Sequence, residues 1–185
     1  MDIESDEALA ADMANGDAAA LRVLYDRYEG PAFRFLLRLT GDREAAKDLM
    51  QETFTRVWTM ARMFDPERGR FKSWLFTIAL NITRNERSKK RYSAIHVGQE
   101  VVETMPAGGE APDAALLQAE TRRRVSEAMG KLPPLLREVV VMKIHQQLKF
   151  TEIAEVTRTP EGTLKARFHR AVEELRRHLG TGGRG

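Results

Sequence analysis

Residues 150–171 read FTEIAEVTRTPEGTLKARFHRA, and this stretch predicts two short helices separated by a tight turn. Ile153, Ala154 and Val156 supply the apolar contact of the first helix. Leu164, Phe168, Ala171, Val172 and Leu175 form the buried stripe of the second. Thr151 is placed to cap the first helix and Thr159 the second. Pro160 suits a first helical position, where no amide hydrogen is needed. Such a pair is a helix-turn-helix, whose second helix presents amino-terminal side chains to base edges while basic groups hold phosphates. Glu161, Thr163, Lys165, Arg167, His169 and Arg170 lie off the stripe and, with Thr151, form the expected DNA-contacting set. Solvation of an amphipathic helix accounts for the charge of Lys165, Arg167, Arg170, Arg176 and Arg177 by itself. The paired short helices and the Thr-Pro start are what argue for DNA.

Outward from this motif, nearly every periodic segment has helical spacing, and no confident alternating strand is found, so the fold class is all-α. Upstream, a helix begins at Asp113, and Pro133-Pro134 separates it from another over Leu135 to Gln146. Between Tyr92 and Pro112 the period fades among Pro106, Gly108 and Gly109, which predicts a flexible linker in which Val97, Val101 and Val102 lie against a partner surface. The expected organisation is two small helical domains, 1–92 and 115–180, joined by a linker over 93–114 and followed by a disordered tail at 181–185.

Four helices are expected in the first domain. Ala18 to Tyr28 and Gly30 to Leu39 read as a pair, and Thr40-Gly41-Asp42 ends one helix and starts the next. That next helix runs from Asp42 to Met63, with Met50, Phe54, Val57, Trp58 and Ala61 on an apolar stripe and Asp48, Gln51, Glu52 and Thr55 on the polar side. A loop from Phe64 to Arg70 precedes a helix built on Phe71, Trp74, Leu75, Ile78 and Ile82. The second face of this helix carries Asn81, Arg84, Ser88 and Arg91, with Lys72, Arg87, Lys89 and Lys90 close by, and such a stripe suits phosphates. Phe71 and Trp74 read as core. Phe64 and its loop are better placed to stack on an unpaired base, a contact worth about 1–3 kcal/mol.

Composition narrows the function. The 185-residue chain is 42% hydrophobic and 31% charged, with a formal net charge of +3 and a pI near 9.3. No stretch reaches the roughly 18 apolar residues of a membrane span, and Met1 to Asp6 is acidic where a secretory signal is basic, so a cytoplasmic location without membrane insertion is expected. The absence of cysteine removes disulfides, thiolate metal sites and cysteine nucleophiles. His96, His145, His169 and His178 show no metal-ligand spacing, so neither metal nor cofactor is expected. With no phosphate-binding glycine loop and no nucleophile-base set, the chain reads as a non-enzyme.

The motifs together resemble a known family. Glu152-Ile153-Ala154-Glu155, then Pro160, Gly162-Thr163, Lys165 and Arg167, is similar to the fourth conserved region of bacterial sigma factors, in their extracytoplasmic-function branch. Asp48-Leu49-Met50-Gln51-Glu52-Thr53-Phe54 through Val57-Trp58 resembles the segment that docks on the clamp helices of the polymerase β′ subunit, and Trp74 to Asn81 with Arg84-Asn85 resembles the second conserved region. The resemblance implies core RNA polymerase as a partner, through its β′ clamp helices and β flap, together with promoter DNA and an anti-sigma factor. It implies polymerase contacts at Asp48, Gln51, Glu52 and Thr55. It places minus-ten contacts at Phe64, Arg68, Lys72, Asn81, Arg84, Asn85 and Ser88, and minus-thirty-five contacts in the helix-turn-helix set. The acidic Glu100, Glu103, Glu110 and Asp113 would imitate nucleic acid along the RNA exit path. Arg158 stands where the family's turn has glycine, and Thr157 and Thr159 replace aliphatic residues, so a turn of altered shape or lower stability is expected. A repressor that dimerises or senses a ligand through its first domain, and a helical adaptor that does not touch DNA, are the alternatives.

Overall fold

The structure, a computed structural model, describes residues 4–93 and 112–180, and every regular element in them is helical. The expected linker residues Val97, Val101, Val102, Glu100, Glu103 and Glu110, and the tail at 181–185, lie outside the described residues.

The first unit has four α-helices: α1 (Asp6–Ala14), α2 (Ala18–Thr40), α3 (Arg43–Thr59) and α4 (Phe71–Ser93), with a 3-10 turn at Ala61–Met63. Short polar side chains start three of them. Ser5 Oγ accepts from the Ala8 amide at 3.1 Å, Asp17 from Ala19 at 2.7 Å and Asp42 from Ala45 at 3.0 Å. Gly41, at φ 74°, ends α2 in the left-handed region, and its amide bonds the Leu37 carbonyl at 2.8 Å.

Two helix expectations are corrected. Ala18–Tyr28 and Gly30–Leu39 are one helix, with Pro31 inside it. The apolar face carries Leu24 before the proline and Ala32, Phe35, Leu36 and Leu39 after it into the same core, which offsets the hydrogen bond that Pro31 cannot donate. The acidic start of the chain forms α1, which buries Leu9, Ala10 and Met13. α3 also stops at Thr59, short of the expected Met63.

The second unit comprises α5 (Pro112–Lys131), α6 (Pro134–Val140), α7 (Phe150–Thr157) and α8 (Glu161–Gly180). The expected linker end, 112–114, therefore lies within α5, Asp113 included. After α6 the chain widens into a π-helical turn over Val141–His145, where the Gln146 amide reaches back to the Val141 carbonyl at 3.1 Å. Leu136, Val139, Val140 and Met142 of this segment are buried, as are Ile153, Val156, Leu164 and Ala171 of the helix pair.

The units do not stand apart. α4 packs on α7, and α2 packs on α6 and the turn after it, so the buried side chains of both units form one continuous cluster. The expected two helical units are present, and they also share an interface.

Candidate nucleic-acid interface

α7 and α8 form the expected helix-turn-helix. Leu164 and Ala171 are fully buried, and Phe168 meets Phe150 edge-on with ring centroids 5.8 Å apart, which locks α8 across α7. The caps differ from expectation. α7 starts one residue before Thr151, and the Glu152 carboxylate accepts from the Lys149 amide at 2.7 Å, so Thr151 is an exposed first-turn residue. Thr159 donates its hydroxyl back to the Thr157 carbonyl at 3.3 Å instead of capping α8. Arg158 takes the turn at φ 51° and ψ 41°, the left-handed conformation the family's glycine would hold without strain.

On α8, Thr163, Lys165, His169 and Arg170 are exposed, and Glu161 and Arg167 are half-buried. Lys165 pairs with Glu161 at 2.6 Å, and Arg170 lies 4.0 Å from Glu174. Both are solvent-facing pairs within one helix, worth at most about 0.5 kcal/mol, so phosphates can displace them at little cost. All six expected α8 residues, with Thr151 beside them, are on one unit and accessible.

The α4 set divides. Asn81, Asn85 and Ser88, at helical spacing, are exposed on one face, the Ser88 hydroxyl bonding the Arg84 carbonyl at 3.0 Å. Arg68 is exposed in the preceding loop and pairs with Asp65 at 3.2 Å. Phe64 is half-buried, 5.8 Å from Phe71 and 5.4 Å from Trp74 between ring centroids, so it caps an aromatic cluster of which Phe71 is the buried base. Lys72 and Arg84 are turned beneath the second unit. Lys72 Nζ donates to the Gln146 carbonyl at 2.6 Å, and Arg84 Nη2 to Glu138 at 2.7 Å. These two side chains are therefore engaged across the interface, where an open basic stripe was expected.

Arg87 joins them, with Nη1 3.4 Å from the same carboxylate and Nη2 on the Leu39 carbonyl. Burial lowers its pKa, with Glu138 opposing that shift and Arg84 adding to it. Arg137 also donates to the Leu39 carbonyl, at 3.3 Å. Beside this network lies an open cleft of about 410 Å³, walled by both units and lined by Arg27, Arg34, Arg38, Lys72 and His145, with Asp6 among them.

α3 carries the third set. Asp48, Gln51, Glu52 and Thr55 are exposed along one face, with Glu52 bonded to Arg56 at 2.5 Å and the Thr55 hydroxyl to the Gln51 carbonyl at 2.9 Å. Trp58 was expected in the core stripe and is instead 37% exposed. The buried face of α3 is Ala46, Leu49, Thr53, Phe54 and Val57, which rotates Trp58 toward the polar side, one turn beyond Thr55. An exposed tryptophan adjoining four polar residues was legible only as a fifth residue on a stripe already filled.

Among the described residues, no group of three or more His, Asp or Glu is placed to hold a metal ion, and no helix is long and apolar enough to cross a membrane.

Comparison with known proteins gives a consistent set. The Sigma-70 region 2 family matches residues 24–92 and the Sigma-70 region 4 family matches residues 122–175. The ECF RNA polymerase sigma factor SigW of Bacillus subtilis is 32% identical over 172 residues, covering 89% of this chain and 91% of SigW. SigL of Mycobacterium tuberculosis, named as the same kind of factor, is 32% identical over 163 residues, with 88% and 90% covered. In three dimensions the chain is similar to CnrH solved in complex with the cytosolic domain of CnrY, with a TM-score of 0.72 and 26% identity over 96% of this chain and 99% of CnrH. The fold is also that of the sigma factor RpoE of Bartonella quintana, solved with the anti-sigma factor NepR, at a TM-score of 0.70 and 23% identity over 86% and 96% of the two chains.

Proposed function

This chain belongs to the extracytoplasmic-function RNA polymerase sigma factors, and we propose that it does their work through three surfaces that its own residues define. As a sigma factor it binds core RNA polymerase and directs promoter-specific initiation. In our reading the α3 face, Asp48, Gln51, Glu52 and Thr55 with Trp58 beside them, docks on the β′ clamp helices. Trp58 supplies the aromatic anchor that the polar contacts surround. The second unit meets the β flap. The amino-terminal half of α8 reads the minus-thirty-five element through Glu161, Thr163, Lys165, Arg167, His169 and Arg170, with Thr151 on the neighbouring helix. Phe64, Arg68, Lys72, Asn81, Arg84, Asn85 and Ser88 engage the minus-ten element.

The domain boundaries we assign are 1–92 and 115–180. Neither unit needs high affinity alone, because tethering through residues 93–114 makes the second contact intramolecular, at effective concentrations that reach the millimolar range for short linkers. The chain itself catalyses nothing in this reading; it works in the cytoplasm, and an anti-sigma factor restrains it.

The observation that carries the proposal is an exposed, basic α8 on a helix-turn-helix, joined in one chain to an α3 face of four accessible polar residues and a tryptophan. Reconstituted transcription tests it. Core polymerase with this protein on a promoter library is expected to produce start sites absent with core alone. A repressor would bind operator DNA yet redirect no polymerase, and would tolerate loss of the Asp48 to Glu52 surface.

A further inference from the structure

We infer that the basic cleft on α2 is a binding site for a small oligophosphate, built on Arg34 and Arg38, which no carboxylate among the described residues neutralises.

Arg27, Arg34 and Arg38 follow one another at intervals of seven and four residues, so they share one face of α2. Lys72 from the start of α4 and His145 from the turn after α6 complete the wall. Among the described residues, Asp6 is the one acid that lines the cleft, and it is already engaged, with Arg27 at 2.7 Å and the Tyr28 hydroxyl on its other oxygen. Neither Arg34, Arg38 nor Lys72 has a carboxylate of the described residues within ion-pair reach. Arg22, Arg56 and Arg123, on open helix faces, each have one. Arg38 donates to the Arg34 carbonyl at 3.3 Å, which leaves guanidinium donors to spare. Burial and the neighbouring Arg34 charge both hold the Arg38 pKa below its usual value, and Arg38 adds to the burial that lowers His145.

Four cationic side chains thus face one carboxylate, and like charges gathered in a concave site raise the local potential for an anion. Guanidiniums present paired N–H donors that match phosphate oxygens, and several together select a ligand with several negative charges. A neutral His145 can donate one hydrogen bond without adding to the repulsion. At about 410 Å³ the cleft has the size of a small-molecule site, which favours a compact oligophosphate over a nucleic-acid backbone. Its backbone is also shaped for the purpose. Gln147 lines it at φ 55°, a conformation that favours glycine. A Cβ on Gly30, inside α2, would come within 3.1 Å of Arg34 Nη1, so the glycine leaves the room in which that guanidinium lies. Arg34 and Arg38 belong to none of the three surfaces assigned to polymerase and promoter, so the site is separate from them.

Calorimetric titration of the full chain with sodium tripolyphosphate, in magnesium-free buffer at fixed ionic strength, tests the site. One saturable site per chain is expected, with a denaturation midpoint that rises as it fills. Arg34→Gln/Arg38→Gln should weaken binding about tenfold or more, while its unliganded midpoint stays at or above the parent's because like charges have been removed. Arg22→Gln/Arg123→Gln, which takes the same charge from open helix faces, should leave the affinity unchanged. ATP that binds more tightly than tripolyphosphate identifies a nucleoside-borne chain as the source, and ATP that binds no better identifies the free chain. The absence of saturable binding, or an affinity that falls equally in the two double variants, would overturn the proposal, since diffuse attraction to a basic protein predicts the latter. If Arg34→Gln/Arg38→Gln does not fold, Arg34→Gln alone, at an exposed position, decides by the same comparison with Arg22→Gln. None of these results touches the sigma-factor reading, which stands or falls on start sites.

Discussion

Arg158 carries the most local strain in the helix-turn-helix, since its left-handed backbone conformation, φ 51°, costs a residue with a Cβ about 1 kcal/mol or more. Replacing it with glycine is expected to stabilise the protein by about 1 kcal/mol, less whatever glycine adds to the unfolded chain's entropy. Chemical denaturation with an unchanged slope checks this. Trp58 is a residue of a different kind, a large aromatic side chain 37% exposed on the polar side of α3. Trp58→Ala should lower thermal stability modestly while weakening core polymerase binding of the folded variant by about 2 kcal/mol, roughly thirtyfold, measured by competition against the parent chain. His145, in the cleft between the units, is pushed down to about 4 by burial and then by Arg38. It is neutral in the folded chain near pH 7, and its ordinary value of 6.5 returns on unfolding. The stability contributed by keeping it neutral is therefore complete above pH 6.5 and is lost as pH falls toward 4. Arg27, Arg34 and Lys72 line the same cleft, with Asp6 among them. The denaturation midpoint should fall on acidification from pH 7 to 5, and His145→Gln should blunt that fall.

At the scale of the element, α8 is expected to behave as a groove reader with separable contacts. Arg170→Ala removes one phosphate partner, so affinity should weaken alike across sequences and the log–log salt slope should become shallower by about 0.9. Loss of Thr163 or Lys165 should instead change which promoters are preferred, as scored in the library. The helix-turn-helix and the turn at Gly41-Asp42 were legible because capping residues, apolar periods and breakers agree there. α2 was misread because Gly30-Pro31 is a local stop signal, while the reason the helix continues is the common core reached by Leu24 and Phe35. α1 was invisible for a similar reason, since its acidic sequence shows little amphipathic pattern and gains its burial from α2. Thr151 and Thr159 offered caps that Lys149 and the Arg158 turn made unnecessary.

On the scale of the whole molecule, the residues that join the units were the least legible. Glu138 and Arg84 are 54 positions apart, and no spacing rule connects a glutamate in an apolar helix with an arginine on a basic one. Sequence reading thus named the side chains proposed to touch DNA but could not tell that Lys72 and Arg84 are engaged across the unit interface. The central claim is that two units on one polymerase read two promoter elements. Run-off transcription by core polymerase with this protein, on a recovered promoter whose two elements are moved apart one base pair at a time, tests it most directly. The account predicts a sharp optimum, with product falling steeply within a few base pairs on either side. Product that is indifferent to the spacing, or that core polymerase makes equally well alone, would contradict it.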